Sequence, residues 1–350
     1  MSAKGSPTGT GGGAGAEAAS ATITEPITMV EALNLALSDE MASDSRVMIL
    51  GEDVGVDGGV FRVTKGLRDR FGADRVVDTP LAEDAIVGAS IGLAVAGMRP
   101  VCEIQFSGFL HQAFAQFQSH AGRYRTRTRG QRPLPLVCRA PSGGGIKALE
   151  HHSESEEMLY VHTPGIKVLM PSGPRTAYAL LRAAIRDEDP VLFLEPKSIY
   201  RAFREPVVQD EIAEIGKARI VKPGTGLTLV TYGAMLRTAV KAVERAEQEL
   251  GASIEVVDLL TLSPCDFETV VASVAKTGRC VVVHEAVKTG GMAAEITARV
   301  VEGCFYALQA PVARVTGWDV PYPLYAREKA FLPDADSIFG AIQATLSAEA

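Results

Sequence analysis

The sequence lacks the marks of a membrane protein and of a disulfide-stabilised secreted protein. Its most apolar run, residues 85–98, is about 14 residues long, whereas a membrane-spanning helix needs about 20. The amino terminus has no charged segment followed by an apolar one, so no signal peptide is predicted. The five cysteines have no paired spacing and are typical of buried thiols in a reducing compartment. We therefore expect a cytoplasmic protein with no membrane contact.

The chain has fewer positively charged than negatively charged residues. The chain has 35 Lys and Arg against 42 Asp and Glu, a net charge of −7, which argues against nucleic acid as a partner. The basic run at residues 123–129 is short, and we interpret it as a solvated or subunit-facing edge. With 350 residues, 47% of them hydrophobic, the chain is typical of a globular protein of about two domains.

Phosphate-binding loops of the standard kinds are also missing. No Gly-x-x-x-x-Gly-Lys motif occurs in the chain, so a P-loop is not predicted. The glycine cluster Ser142-Gly143-Gly144-Gly145 precedes no clear helix, and we interpret it as a flexible loop.

What the chain does contain is a regular alternation of strands and helices. Residues 1–24 are rich in small residues, and we predict a flexible tail. Thr28 and Glu31 have the spacing of a capping box and mark the first helix. Short hydrophobic strands are predicted at 47–50, 101–104, 134–139, 166–170 and 191–194, with helices at 85–98, 109–122 and 175–186. Strands buried on both faces and separated by helices predict a parallel, doubly wound sheet.

A seam at residues 200–226, richer in charge, Pro and Gly, separates this pattern from a second one. Beyond it we predict strands at 227–231, 254–257 and 280–283, and helices at 235–250, 267–275 and 292–302. The prediction is therefore two doubly wound α/β domains. The expected divisions are a tail at 1–24, a first domain at 25–205, a linker at 206–224 and a second domain at 225–350.

Two acidic residues stand where such a fold would form a catalytic site. Glu83 lies between a turn and an apolar helix, and Glu52 follows the first strand. The carboxyl ends of parallel strands form the ligand crevice in open α/β sheets. An alternative interpretation makes Glu83 a partner of free amides at the helix start and Glu52 a solvated strand-end acid.

Glu52 and Glu83 each lie within one of a series of short motifs that follow one another along the chain. They are Gly51-Glu52-Asp53-Val54, Gly58-Gly59-Val60-Phe61-Arg62, Asp78-Thr79-Pro80-Leu81 with Glu83, Glu103-Ile104-Gln105-Phe106, His151-His152-Ser153, Pro164-Gly165 with Lys167-Val168, Ala310-Pro311-Val312 with Arg314-Val315, and Asp319-Val320-Pro321 with Pro323. In this order and spacing the chain resembles, over about residues 27–348, the beta subunit of the thiamine-diphosphate-dependent 2-oxo acid dehydrogenases. The resemblance implies a transketolase-like pyrimidine-binding domain followed by a transketolase C-terminal-like domain.

The resemblance also implies roles for individual residues. Glu83 matches the glutamate that hydrogen-bonds the aminopyrimidine ring of thiamine diphosphate and controls its activating proton. Glu52 matches an acid that relays protons between paired cofactors. His152 matches the histidine that faces the substrate and protonates the lipoyl sulfur, whereas His151 beside it would be a supporting or solvent-facing residue. Further cofactor positions match Leu81, Gln105, Phe109 and Gln112, although a helix-face core residue is an equal interpretation of Phe109.

A potassium loop is implied in the same way, at Leu136, Val137, Ala184, Asp187 and Asp189. Oxygen ligands of this kind suit a hard cation. Asp189 stands where relatives often have Asn, and an ordinary charged turn is the alternative interpretation of residues 185–190.

The Gly-Asp-Gly start of the family's Mg²⁺ and diphosphate motif does not occur in the chain. The resemblance therefore implies an alpha subunit that brings this half of the site, in an α2β2 heterotetramer. The second domain would serve dimerisation and docking of the lipoyl-bearing acyltransferase.

Motifs 103–106 and 151–153 favour a branched-chain 2-oxo acid over pyruvate or acetoin as substrate. Two other classes stay open. One is a thiamine enzyme of the transketolase or deoxyxylulose-phosphate synthase kind, which would carry the Mg²⁺ motif. The other is a non-catalytic α/β subunit, such as half of an electron-transfer flavoprotein.

Overall fold

The computed structural model describes residues 23–348. The predicted tail therefore lies outside the described residues, apart from Ile23 and Thr24. Ile23 forms a β-bridge with Val208, and the Thr24 amide donates to the Val207 carbonyl at 3.0 Å. The first described residues thus pair with a segment of the predicted linker, and the predicted domain boundaries stay predictions.

The strands form two sheets. They are β1 (Val47–Gly51), β2 (Val76–Asp78), β3 (Arg99–Glu103), β4 (Val137–Ser142), β5 (Lys167–Leu169), β6 (Val191–Pro196), β7 (Arg219–Lys222), β8 (Leu227–Thr231), β9 (Ile254–Asp258), β10 (Thr261–Ser263), β11 (Cys280–Val287) and β12 (Ala313–Gly317). The first sheet has the order β10-β5-β6-β4-β3-β1-β2 and the second β12-β11-β8-β9-β7. Neighbouring strands are parallel except in the β10–β5 and β7–β9 pairs. The α/β prediction is confirmed, with one antiparallel strand at an edge of each sheet.

Helices fill the connections. They are α1 (Met29–Ser43), α2 (Leu67–Phe71), α3 (Glu83–Val95), α4 (Leu110–Ala115), α5 (Gly122–Arg127), α6 (Glu157–Val161), α7 (Pro174–Arg186), α8 (Met235–Leu250), α9 (Phe267–Thr277), α10 (Met292–Cys304), α11 (Glu328–Phe331) and α12 (Ala335–Leu346). The predicted capping box starts α1, since Glu31 accepts from the Thr28 amide at 2.7 Å. None of the helices within residues 23–348 has both the length and the apolarity needed to cross a membrane.

Alternate residues of the central strands enter two separate hydrophobic cores. Ile49 and Val101 belong to the core that also contains α1 and α7 residues. Leu50 and Cys102 belong to the core that contains α3 and α4 residues. Both faces of the first sheet are therefore buried, which is why its strands are hydrophobic throughout rather than alternating. All five cysteines are free thiols.

Several elements differ from the sequence prediction. The strand predicted at 134–139 is Val137–Ser142, because Pro133 and Pro135 have no amide hydrogen to donate to a neighbouring strand. The helix predicted at 109–122 is α4, a π-helical segment (Gln116–Ala121) and α5 in succession. The short edge strands β2, β7 and β12, and the last helix α12, were not predicted, because their sequences are short or only partly apolar.

A buried ion cluster joins three strands of the first sheet at their carboxyl ends. Arg139 on β4 donates from Nη1 to Glu103 on β3 at 2.7 Å and from Nε to Glu195 on β6 at 2.7 Å. The Tyr200 hydroxyl donates to the second Glu195 oxygen at 2.5 Å. All three charged side chains are at most 4% exposed. Because the charges lie away from water, their mutual pairing is needed to offset the loss of hydration.

We predict that Arg139→Met lowers the free energy of unfolding by about 3–5 kcal/mol, since it leaves two buried carboxylates without their cation. Urea unfolding of the purified chain measures this. The matched control is Arg46→Met, because Arg46 pairs with Asp44 at the surface and should contribute at most about 1 kcal/mol. Equal losses in the two variants would contradict the prediction.

Candidate active site

Glu52 and Glu83 lie close to one another at the carboxyl edge of the first sheet. Glu52 follows β1 directly and is 8% exposed. Burial raises its pKa, and the nearby Glu83 and Asp53 carboxylates raise it further. The two acids that the sequence singled out are thus brought together by β1 and by the turn before α3. Paired carboxylates of this kind are typical of sites that control protons.

Glu83 is the first residue of α3 and is 3% exposed. Its Oε2 atom has no hydrogen-bond partner in the described part of the chain. The N-cap residue of α3 is Ala82, whose side chain cannot accept from the free helix amides, and the Glu83 Oε2 atom accepts from none of them within the described residues. A buried carboxylate oxygen without a partner is rare in a folded protein, so it indicates a ligand position.

The turn before Glu83 is tied to the Glu52 loop by Asp78. The Asp78 carboxylate accepts from the Gly55 amide at 2.5 Å and from the Val56 amide at 3.2 Å. The ends of β1 and β2 are therefore linked by hydrogen bonds as well as by their position in the sheet, and this holds Glu52 and Glu83 in one region.

A second group at the same edge consists of aromatic and imidazole rings. His152 packs edge-on against Phe106 with ring centroids 4.3 Å apart, against Phe109 at 5.4 Å and beside His151 at 4.2 Å. His152 Nδ1 is buried and has no hydrogen-bond partner in the region that the structure covers. Burial lowers the pKa of His152, and His151 and Lys197 lower it further against the opposing effect of Glu150. The neutral imidazole is therefore the resting form at neutral pH.

The other predicted cofactor residues lie in different surroundings. Gln105 donates to the Asp53 carboxylate at 3.1 Å, next to Glu52. Phe109 is half-buried and belongs to the ring group, whereas Leu81 and Gln112 are exposed. Leu81 is 76% exposed, which leaves it free to cover a ligand or contact another chain.

Sequence reasoning missed one charged neighbour of this site. Lys197 follows β6, is 3% exposed, and places its ammonium 5.8 Å from the Phe106 ring centroid. The signal that was available is its position directly after a buried strand, where the first sheet presents its carboxyl ends. Phe106 lies in the 103–106 motif, but the sequence assigns it no role.

The predicted potassium residues lie together but in different elements: Asp187 and Asp189 are in the turn after α7, Ala184 is in the last turn of α7, and Leu136 and Val137 lie where β4 begins. Most of their oxygens already have partners. The Asp187 carboxylate accepts from Lys167 Nζ at 2.8 and 2.6 Å, and the Asp187 carbonyl accepts from Arg99 at 3.0 Å. Asp189 pairs with Arg125. The Ala184 carbonyl accepts from the Asp187 amide at 3.2 Å, and the Leu136 carbonyl from the Val191 amide at 2.8 Å. Each of these four residues thus already has a hydrogen-bond or ion-pair partner, and a potassium ion bound here would share their oxygens with those partners.

Family models match both parts of the chain. The model of the transketolase pyrimidine binding domain matches residues 25–202, and that of the transketolase C-terminal domain matches residues 216–338. Together with the two sheets and the acidic pair, these matches define the class: a two-domain transketolase-like α/β protein. A solved split gene transketolase, described as an inactive beta4 tetramer, has a TM-score of 0.77 and covers 93% of this chain and 100% of its own. At 23% identity, this likeness shows the fold alone.

Curated relatives narrow the class. The chain is 50% identical over 328 residues to 3-methyl-2-oxobutanoate dehydrogenase subunit beta of Mycobacterium tuberculosis (strain ATCC 25618 / H37Rv), covering 94% of each chain. It is 49% identical over 314 residues to pyruvate dehydrogenase E1 component subunit beta of Acholeplasma laidlawii, covering 89% of this chain and 95% of that one. The chain therefore belongs to the family of 2-oxo acid dehydrogenase beta subunits. Membership implies dependence on thiamine diphosphate, an alpha-subunit partner and a complex with an acyltransferase.

Proposed function

We propose that this chain, with an alpha subunit, catalyses oxidative decarboxylation of a branched-chain 2-oxo acid and transfers the acyl group to lipoate. The observation that carries the proposal is the Glu83 carboxylate, which is buried at the start of α3 and has one oxygen without a hydrogen-bond partner among residues 23–348. A relative at 50% identity is named for 3-methyl-2-oxobutanoate, a branched-chain 2-oxo acid. Relatives at 49% and 47% identity are named for pyruvate, which makes pyruvate the second candidate substrate.

The free Glu83 oxygen fits the polar ring of thiamine diphosphate. Bound there, the cofactor supplies the carbanion that the decarboxylation requires. Glu83 would hold a proton at the ring nitrogen, and burial keeps that carboxyl away from water, which would compete for it. Glu52 is an acid close to Glu83, and its raised pKa means that it takes up a proton more readily than an ordinary glutamate does. We therefore assign it the proton relay.

His152 would deliver a proton to the lipoyl sulfur. Its neutral resting state means that it takes up a proton within the cycle rather than storing one between cycles. The surrounding rings of Phe106, Phe109 and His151 restrict its orientation.

The proposal also covers the partner subunits and the cellular compartment. The alpha subunit would hold Mg²⁺ and the diphosphate, since the chain has no Gly-Asp-Gly motif, in a cytoplasmic α2β2 heterotetramer. The second domain has large exposed apolar side chains, among them Tyr306, Trp318 and Tyr325. Exposed patches of this kind mark protein contacts, which supports dimerisation and acyltransferase docking there. A flavoprotein half would leave the free Glu83 oxygen unexplained.

Expressed alone, the chain should bind thiamine diphosphate weakly or not at all, because the diphosphate half of the site is on the alpha subunit. Isothermal calorimetry with Mg²⁺ measures this, and the reconstituted complex is the positive control. Tight Mg²⁺-dependent binding by the isolated chain would contradict the proposal that the alpha subunit holds the diphosphate half of the site. Assay of the reconstituted complex with branched-chain 2-oxo acids and pyruvate then ranks the substrates.

Glu83→Gln in the assembled complex should reduce decarboxylation by about 10²–10⁴-fold, the usual contribution of a positioned proton-transfer group, with folding unchanged. Steady-state turnover and circular dichroism check the two parts. Asp84→Asn is the matched control, because Asp84 is the exposed neighbour on the same helix and loses the same charge. Near-normal turnover in Glu83→Gln would rule out the proton-control role.

The role of His152 can be tested by measuring the two half-reactions separately. His152→Ala should depress lipoyl-dependent activity much more than decarboxylation followed with an artificial oxidant, since only the first needs a proton for the departing sulfur. His151→Ala, next to it in the chain, should be milder in both assays. Equal loss in the two assays would make His152 a substrate-positioning residue instead.

A potassium ion at the Asp187 turn stays a prediction of the family resemblance. Exchange of KCl for NaCl at constant ionic strength should lower the melting temperature of the complex if the ion binds only the folded state. Scanning calorimetry compares the two salts. An unchanged melting temperature would indicate that Lys167, Arg99 and Arg125 are sufficient cations for this turn.

A further inference from the structure

The glycine cluster after β4 is a tightly packed contact with the second domain. A Cβ atom on Gly143 would lie 2.8 Å from a Glu285 carboxylate oxygen, and one on Gly144 would overlap the Tyr322 hydroxyl. Gly143 and Gly144 are buried. Gly143 also has a φ of +76°, a conformation that favours glycine. The interpretation of this cluster as a flexible loop is therefore corrected: it consists of glycine because there is no room for a side chain.

Two carboxylates of the second domain hydrogen-bond the loop that begins here. Glu285, on β11, accepts from the Gly144 amide, and Glu328, at the start of α11, accepts from the Lys147 amide at 3.1 Å. This loop, residues 143–154, carries His152. Its two ends are joined by a hydrogen bond from the Gly143 amide to the Glu154 carbonyl at 3.0 Å. Movement of the first half would therefore be passed on to the second half.

The far half of the loop is held by the first domain. The Ser107 hydroxyl donates to the Glu154 carbonyl at 3.0 Å, and Gly108 lies so close to the His151 carbonyl that a side chain would overlap it. The loop is thus clamped between residues 107–108 and the carboxylates of the second domain.

Lys197 is a buried cation close to the two carboxylates that hold the loop. Its buried Nζ has no hydrogen-bond partner among the described residues, and it feels the attraction of Glu285 and Glu328. Burial lowers the pKa of Lys197 to about 7, against the effect of these two carboxylates, and burial raises the pKa of Glu285 to about 7. The Phe106 ring lies near this ammonium and contacts the His152 ring, and the charge of Lys197 acts on His152. A change at Glu285 would therefore affect His152 in two ways, through the loop backbone and through the charge of Lys197.

We propose that the second domain positions His152, with Glu285 as the positioning residue that fixes the 143–154 loop through the Gly144 amide. The proposal deepens the proposed function and rests on it for the role of His152. It assigns to the second domain a part in the active site in addition to dimerisation and docking.

Hydrogen–deuterium exchange of the full chain tests the clamp without any activity. Glu285→Ala should speed exchange in peptides spanning residues 143–152 by about tenfold or more, because the Gly144 amide loses its side-chain acceptor. Glu285→Gln keeps an acceptor oxygen and should restore protection. Glu268→Ala is the matched control, since Glu268 is an exposed carboxylate of the same domain far along the chain from the loop.

Should Glu285→Ala fail to fold, Gly144→Ala tests the same contact by pushing the loop away from Tyr322, and it should give the same faster exchange. Exchange of residues 143–152 that stays at the wild-type rate in the folded variant would overturn the proposal. So would equal acceleration in Glu268→Ala.

Activity of the reconstituted complex gives the second readout. Glu285→Ala should lower kcat of lipoyl transfer about tenfold, with the KM for the 2-oxo acid unchanged and with Glu285→Gln near wild type. Faster loop exchange with unchanged lipoyl transfer would overturn the positioning role. Failure of the wild-type complex to turn over any 2-oxo acid would instead remove the proposed function, and the exchange result would still decide whether the clamp exists.

Discussion

The edge of the first sheet that carries the candidate site depends on the buried Arg139 ion cluster. The planar guanidinium binds Glu103 on one side and Glu195 on the other, so the ends of β3, β4 and β6 are fixed relative to one another. The site loops leave the sheet just after these three residues. One leads to Phe106 and Phe109, one to His152 and one to Lys197. A cluster buried at this depth has to be fully paired, and its geometry is therefore imposed on every loop that follows.

The side chains around this edge are arranged for a ligand rather than for one another. The free oxygen of Glu83 and Nδ1 of His152 are both buried and unpaired within the described residues. Such atoms cost stability in the isolated fold, and proteins retain them at functional sites. Under the proposed function these atoms face a site that is shared with an alpha subunit and occupied by thiamine diphosphate, and this would account for the cost.

The second domain contributes to the same site although it has no cofactor motif. Glu285, Glu328 and Tyr322 contact the glycine-rich start of the His152 loop, and β10 adds a strand to the first sheet. The two domains therefore share a sheet and a loop. A division of labour into one catalytic and one purely structural domain does not describe this chain.

The sequence by itself determined the class of fold and the positions of the central strands and most helices, and it singled out Glu52, Glu83 and His152 as candidate site residues, because hydrophobic periodicity and ordered motifs are local properties of the chain. Short edge strands were missed because their few residues carry little pattern. Only the tertiary structure decided that Lys167 neutralises Asp187, that Lys197 lies beside the Phe106–His152 pair, and that the glycine cluster is packed against Glu285 and Tyr322. Each of these joins residues from distant parts of the chain, and no local pattern records a contact that forms only when the sheet and the second domain have been assembled.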